Sequence, residues 1–223
     1  VIWIARKFKE TLPPEKRGKG EMNRSVNPIK LFKPLPYPGV NLVNVGHFLF
    51  LLAFSGMEFT LTFLAVERYL YEPRDITSMF LIIGFTLIFA QGFFVRRFVG
   101  KIGEKNMALQ GIFLGFFAFI LLAFPSPETW FFFALFLMSC GVAFISPTLT
   151  ALTSLHSSEK DQGFNLGIFR SSGSIARACG PMLAGLTYFL FGSTFAYTIG
   201  AFLLLIPFFI LLKVPKPARH QPA

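Results

Sequence analysis

The stretch Gly167-Ile168-Phe169-Arg170-Ser171-Ser172-Gly173-Ser174-Ile175-Ala176-Arg177-Ala178-Cys179-Gly180-Pro181 lies inside a mostly apolar run over residues 164–190. A run of that length suits a helix crossing a hydrocarbon core of about 30 Å, where every backbone polar group must be bonded within the segment. Two arginines inside it are expensive. An Arg at the bilayer centre costs roughly 2.5–3.5 kcal/mol on insertion scales, against about 0.3–0.6 kcal/mol gained per Leu, Ile, Phe or Val. Such a segment needs protein or water along one side, so it belongs to a bundle.

Working outward, five further runs qualify, at about 41–66, 76–95, 107–124, 129–152 and 194–212, which predicts an all-α membrane protein with six transmembrane helices. Phenylalanine supplies 31 of the 223 residues and only 14% of the chain is charged, too little polar surface for a soluble globule of this size. The partner implied is the lipid bilayer. The formal net charge of +10 does not point to nucleic acid, because the Lys and Arg residues sit between apolar runs and form no basic fold of their own.

Cys140 and Cys179 fall within apolar runs and lack metal-ligand spacing, so neither a disulfide, a metal nor another cofactor is expected. The histidines, His47, His156 and His220, fall at a helix entrance, in a loop and in the tail, and there is no Gly-x-Ser-x-Gly elbow. An intramembrane serine protease is disfavoured accordingly, and no enzyme activity is expected.

Residues 1–40 are rich in Pro and charge and read as the end of a preceding helix followed by a basic linker; residues 213–223 read as a tail. Val1-Ile2-Trp3-Ile4-Ala5 is too short to span and runs into Arg6-Lys7, which suggests a severed helix and a native protein extending upstream. Seventeen of the 21 Lys and Arg residues fall on the side of the linker and tail, and only Arg68 and Arg74 in the loops opposite. The bias predicts a multi-pass protein with both termini in the cytoplasm, in the plasma membrane or an endomembrane. On that topology the Asn23-Arg24-Ser25 sequon is never glycosylated.

Arg170, Ser174 and Arg177 are spaced i, i+4, i+7 and project from one helix face. They can tie helices together through a carboxylate or backbone carbonyls, and Arg170 can also snorkel to the headgroups. Arg177, nearer mid-span, is read as a cation in a water-filled cavity, facing an anionic substrate group or a titrating acid. Glu58, within Ser55-Gly56-Met57-Glu58-Phe59-Thr60, is the acid well inside a span and the candidate for proton coupling, the alternative being an acid that reaches the nearby interface. Gly167 with Ser171, Ser174 with Ala178 and Pro181 with Gly185 are small pairs whose ordinary meaning is close helix packing, while Ser146-Pro147 and Gly180-Pro181 permit kinks.

The chain resembles the second half of a major facilitator superfamily transporter, near the tetracycline-transporter-like drug:proton antiporters. Glu10-Thr11-Leu12-Pro13 resembles the entry to the family's central loop, residues 167–181 its Gly/Ser-rich eleventh helix, and Gly92, Arg96-Arg97 and Gly103-Glu104 the gating signature between helices eight and nine. The resemblance implies the C-terminal six-helix bundle of a twelve-helix fold, a missing N-terminal six-helix half as partner, and alternating access. The expected function is secondary transport, coupled to protons or another ion, of organic anions or amphipathic drug-like solutes, with Arg177, Arg170 and Ser174 contacting the solute. The rival is a membrane scaffold or binding protein that keeps the fold without transport.

Overall fold

The computed structural model describes residues 34–215; residues 1–33 of the expected linker region, the sequon and the distal tail lie outside them, and residues 38–40, read as linker, open the first helix. Six long apolar helices run through the described residues: α1 (Pro38–Tyr69), α2 (Pro73–Ile102), α3 (Glu104–Ala123), α4 (Glu128–Leu155), α5 (Gln162–Phe191) and α6 (Ser193–Leu212). Each is long and apolar enough to cross a bilayer, so the chain is a multi-pass membrane protein.

Local chemistry sets the helix ends. Pro38 opens α1, where its missing N–H would have no partner in any case. Leu70 stops α1 at φ 56, a left-handed turn in which its N–H reaches the Val66 carbonyl at 3.1 Å. Glu72 and Asp75 then form a reciprocal capping box around Pro73 to start α2.

The expected loop after residue 95 is helix instead. α2 passes through a π-helical turn at Ala90–Val95 and continues over Arg96–Ile102 before Gly103 breaks it at φ +85. Charges do not end the helix: Arg and Lys are good helix formers, and Phe98, Val99 and Ile102 continue the apolar pattern alongside them.

Packing follows small residues. In lipid, helices gain little from burying apolar surface, and association depends on close van der Waals approach. α1 packs along α5 and α3 along α4, while α6 lies against both α3 and α1. A Cβ at Gly180 would stand 2.6 Å from the Leu52 carbonyl oxygen, and one at Gly56 2.6 Å from Ala184 Cβ. Gly111 and Gly141 make the equivalent crossing of α3 and α4, where a Cβ on either would stand 2.7 Å from the other's carbonyl oxygen. α2 leans mainly on α4 and leaves Leu81, Phe85, Ile88 and Phe89 bare.

Both ends of the bundle are pinned by cations on helix C-termini, where the last carbonyls lack intrahelical donors. Arg68 of α1 donates to the carbonyls of Leu122 (2.8 Å), Ala123 (3.0 Å) and Phe124 (2.9 Å) at the end of α3. Beside it, Glu67 accepts hydrogen bonds from Tyr188 of α5 and, at 3.4 Å, from Ser193 of α6. At the opposite end Lys105 of α3 donates to the carbonyls of Leu212 (2.8 Å) and Val214 (2.6 Å) at the end of α6. There too, Tyr37 donates to Asp161 at 2.6 Å and to Ser158 at 2.9 Å, holding the entrance of α1 against the α4–α5 loop. Bonds from Tyr37 and Ser158 hold the Asp161 carboxyl below its ordinary range.

Candidate substrate-binding face

α5 divides lengthwise into a covered face and an open one. On the covered face, Gly173 lies against His47 and Leu51, Gly180 against Ser55 and Leu52, and Gly185 against the Phe59 ring. Along the open face run Gly163, Gly167, Arg170, Ser171, Ser174, Arg177 and Ala178, all exposed. The small pairs expected to pack, Gly167 with Ser171 and Ser174 with Ala178, thus lie on the open face, and glycines one or two positions away make the contacts. A Cβ at Gly167 would meet nothing within 4 Å.

Arg170, Ser174 and Arg177 are brought together along this face. Ser174 donates to the Arg170 carbonyl at 3.1 Å, a bond to its own preceding turn. Among the described residues neither arginine has a carboxylate or carbonyl partner. Two unpaired guanidinium groups among Gly, Ser and Ala side chains suit water or an anion, whereas the Phe, Leu and Ile side chains bare on α2 suit acyl chains.

Glu58 is not joined to the arginines. It is exposed at the rim of a small crevice of about 50 Å³ between α1, α2 and α4, beside Phe54, Phe80, Met138 and Ser139. Gly92 lies in the π-helical turn with Arg96 and Arg97 just beyond it, Arg97 standing 6.0 Å over the Phe93 ring. Gly103 makes the turn and Glu104 opens α3. The proposed gating residues therefore span a helix end and a one-residue break instead of a flexible loop.

Sequence reasoning passed over Asn44 and left His47 at a helix entrance. His47 is 8% exposed, stacks on Phe169 with ring centroids 3.8 Å apart, and has no hydrogen-bond partner at Nδ1. Asn44 Oδ1, one turn earlier, is likewise buried and unpartnered. A polar pair spaced i, i+3 within an apolar run was the available signal.

The family model described as Major Facilitator Superfamily matches residues 1–157 and, in a second match, 43–223. The chain belongs to the major facilitator superfamily. It is 34% identical over 229 residues to major facilitator superfamily domain-containing protein 10 of Bos taurus, covering 94% of this chain and 50% of the relative. It is 26% identical over 186 residues to multidrug resistance protein 2 of Bacillus subtilis (strain 168), covering 81% and 45%. Among solved structures the bundle matches the human organic anion transporter MFSD10 (TETRAN) with a TM-score of 0.78 and 29% identity, over 83% of this chain and 46% of that one.

The chain thus spans about half the length of the curated relatives it matches. Its six helices form one bundle of the superfamily's two-bundle fold, in agreement with the half-transporter read from the sequence.

Proposed function

We propose that this bundle is the C-terminal half of a secondary transporter that carries organic anions or amphipathic drug-like solutes by alternating access. The observation that carries the reading is the pair Arg170 and Arg177, exposed on a small-residue face of a membrane-spanning helix with no acidic partner among the described residues. An unpaired guanidinium at that depth is retained for a ligand, and its planar fork fits a carboxylate, sulfonate or phosphate. The name of the human neighbour, an organic anion transporter, points to the same solute class.

In this reading Arg177 and Arg170 bind the negative group, Ser174 adds a hydroxyl, and the rest of the solute is met by the N-terminal half. Glu58, on the rim of the α1–α2–α4 crevice, is a proton-coupling residue. Gly92, Arg96, Arg97, Gly103 and Glu104 form the gate at the linker end, which the Lys and Arg bias assigns to the cytoplasm together with both termini.

The test is uptake of aromatic carboxylates by the full-length protein in proteoliposomes under an imposed pH gradient. Unmodified protein should concentrate at least one of them. Arg177→Ala should lose about 10–100-fold in apparent affinity, the loss of about 1.5–3 kcal/mol from a hydrogen bond to a charged group, while still eluting as a folded monodisperse species. Saturable binding without flux would favour the scaffold, and unimpaired uptake by Arg177→Ala would remove that residue from the site.

A further inference from the structure

A cavity of about 280 Å³ lies between α1, α5 and α6, bounded also by Phe119 of α3. α5 and α6 touch each other far less than either touches α1, and the cavity occupies the gap this leaves. Leu183 of α5 and Ile199 of α6 line it and are both exposed, so it opens between these two helices. Leu183, six residues after Arg177, is turned about 120° from it around the helix, and the mouth does not share the arginine face.

The walls ask for no polar ligand. Thr60 donates to the Gly56 carbonyl at 3.1 Å and pairs with the Tyr197 hydroxyl at 3.2 Å, while Thr187 donates to the Ala184 carbonyl at 2.9 Å. Every hydroxyl lining the cavity is thus paired. A buried water needs about two to four polar partners, and the remaining walls are Leu, Ile, Met, Ala, Gly and Phe. Helices in lipid are held by close packing, so a gap of this size forfeits contacts unless something apolar fills it.

Depth narrows the occupant. α6, 20 residues and about 30 Å long, matches the thickness of a hydrocarbon core. The cavity runs along α6 from Ala196 to Leu203, three to ten residues after its start at Ser193. Along α5 it runs from Gly180 to Thr187, four to eleven residues before the helix ends at Phe191. At about 1.5 Å per residue, both helices place it roughly 5–16 Å below the membrane face at the α5–α6 turn. Half of a core of about 30 Å is about 15 Å, so the cavity spans the chain region of one leaflet and stops near the midplane.

We propose that this cavity is a lipid site, filled by one hydrocarbon chain of a phospholipid from the leaflet at the α5–α6 turn, entering between Leu183 and Ile199. The site stands apart from the reading of Arg177 as the anion contact. The chain is held by shape and dispersion along its length, so the headgroup is not what is recognised. Seated there, it completes the packing of α1, α5 and α6.

The experiment is native mass spectrometry of the full-length protein, delipidated in detergent and titrated with palmitoyl-oleoyl phosphatidylcholine. The first lipid should bind about tenfold more tightly than those that follow, and phosphatidylglycerol with the same chains should match it within about threefold. Ala196→Phe, which puts a ring into the cavity, should bring the first lipid down to the affinity of the rest. Leu81→Phe, on the bare face of α2, should leave it unchanged. Lipids of one common affinity overturn the proposal, and with them cross-linking of Leu183→Cys to the N-terminal half would assign the cavity to that half instead. A preference of more than about tenfold for either headgroup also overturns it. Both results are read on the unmodified protein, so they stand whether or not Ala196→Phe folds. An unaltered first lipid in a folded Ala196→Phe protein overturns it as well.

Discussion

The two faces of α5 use the same small residues for opposite ends. On the covered face Gly173 and Gly180 are small so that α1 can lie almost backbone to backbone against the helix. On the open face Gly163, Gly167, Ser171 and Ser174 are small beside two long cations and stay exposed. Spacing cannot distinguish the two roles, because both stripes recur at i+3, i+4 and i+7; only the neighbouring helix does.

The sharpest way to break this comparison is to add one methyl group to each face. At Gly180 the new Cβ would meet the Leu52 carbonyl oxygen and Ser55 Oγ, and a carbonyl within a helix cannot swing aside. Gly180→Ala should destabilise the full-length protein by about 1–3 kcal/mol or more. Gly167→Ala, with open space around it, should be neutral or gain about 0.5–1 kcal/mol from helix propensity. Thermal unfolding in detergent should therefore move in opposite directions, and a parallel drop would erase the division between faces.

Arg170→Gln should sharpen the distinction by sparing stability and impairing function. An uptake loss of about tenfold with an unchanged unfolding temperature fits an arginine that meets solute, from a hydrogen bond of about 1.5 kcal/mol. A fall in stability with normal uptake would instead mark a structural anchor.

The smallest expected effect concerns the loop leading into α5. Because Tyr37 and Ser158 hold the Asp161 carboxyl below its ordinary range, their contact contributes stability above the unfolded carboxylate pKa and loses it as the pH falls through the folded one. Tyr37→Phe should lower the unfolding temperature slightly at neutral pH, and its difference from the unmodified protein should shrink in acid. A difference that grows in acid would mean that Asp161 does not use Tyr37 in this way.

The architecture was legible because its signal is coarse: a span of about 20 apolar residues has few other folded states open to it. Arg170 and Arg177 were legible for the same reason, as charges where charges are costly. Asn44 and His47 were not, because a first span beginning at residue 41 puts His47 at the entrance, whereas α1 starts at Pro38 and carries the ring two and a half turns in, against α5. The continuation of α2 past Arg96 was hidden by treating the first charges as the end of the helix. Glu58 was visible as an acid, but its turn toward α2 and α4 depends on helix rotation, which periodicity leaves open when the whole segment is apolar.

The cation pins have a mechanical consequence. α3, 20 residues and about 30 Å long, is gripped at its C-terminal end by Arg68 of α1, and near its N-terminal end its own Lys105 grips the close of α6. A strut fixed at both ends resists shear between the helices it joins. Under the alternating access proposed above, a push at one membrane surface would arrive at the other as tilt of the whole bundle, carrying α5, which packs along α1. The bundle would then work as a lever, with its arginines travelling on the arm.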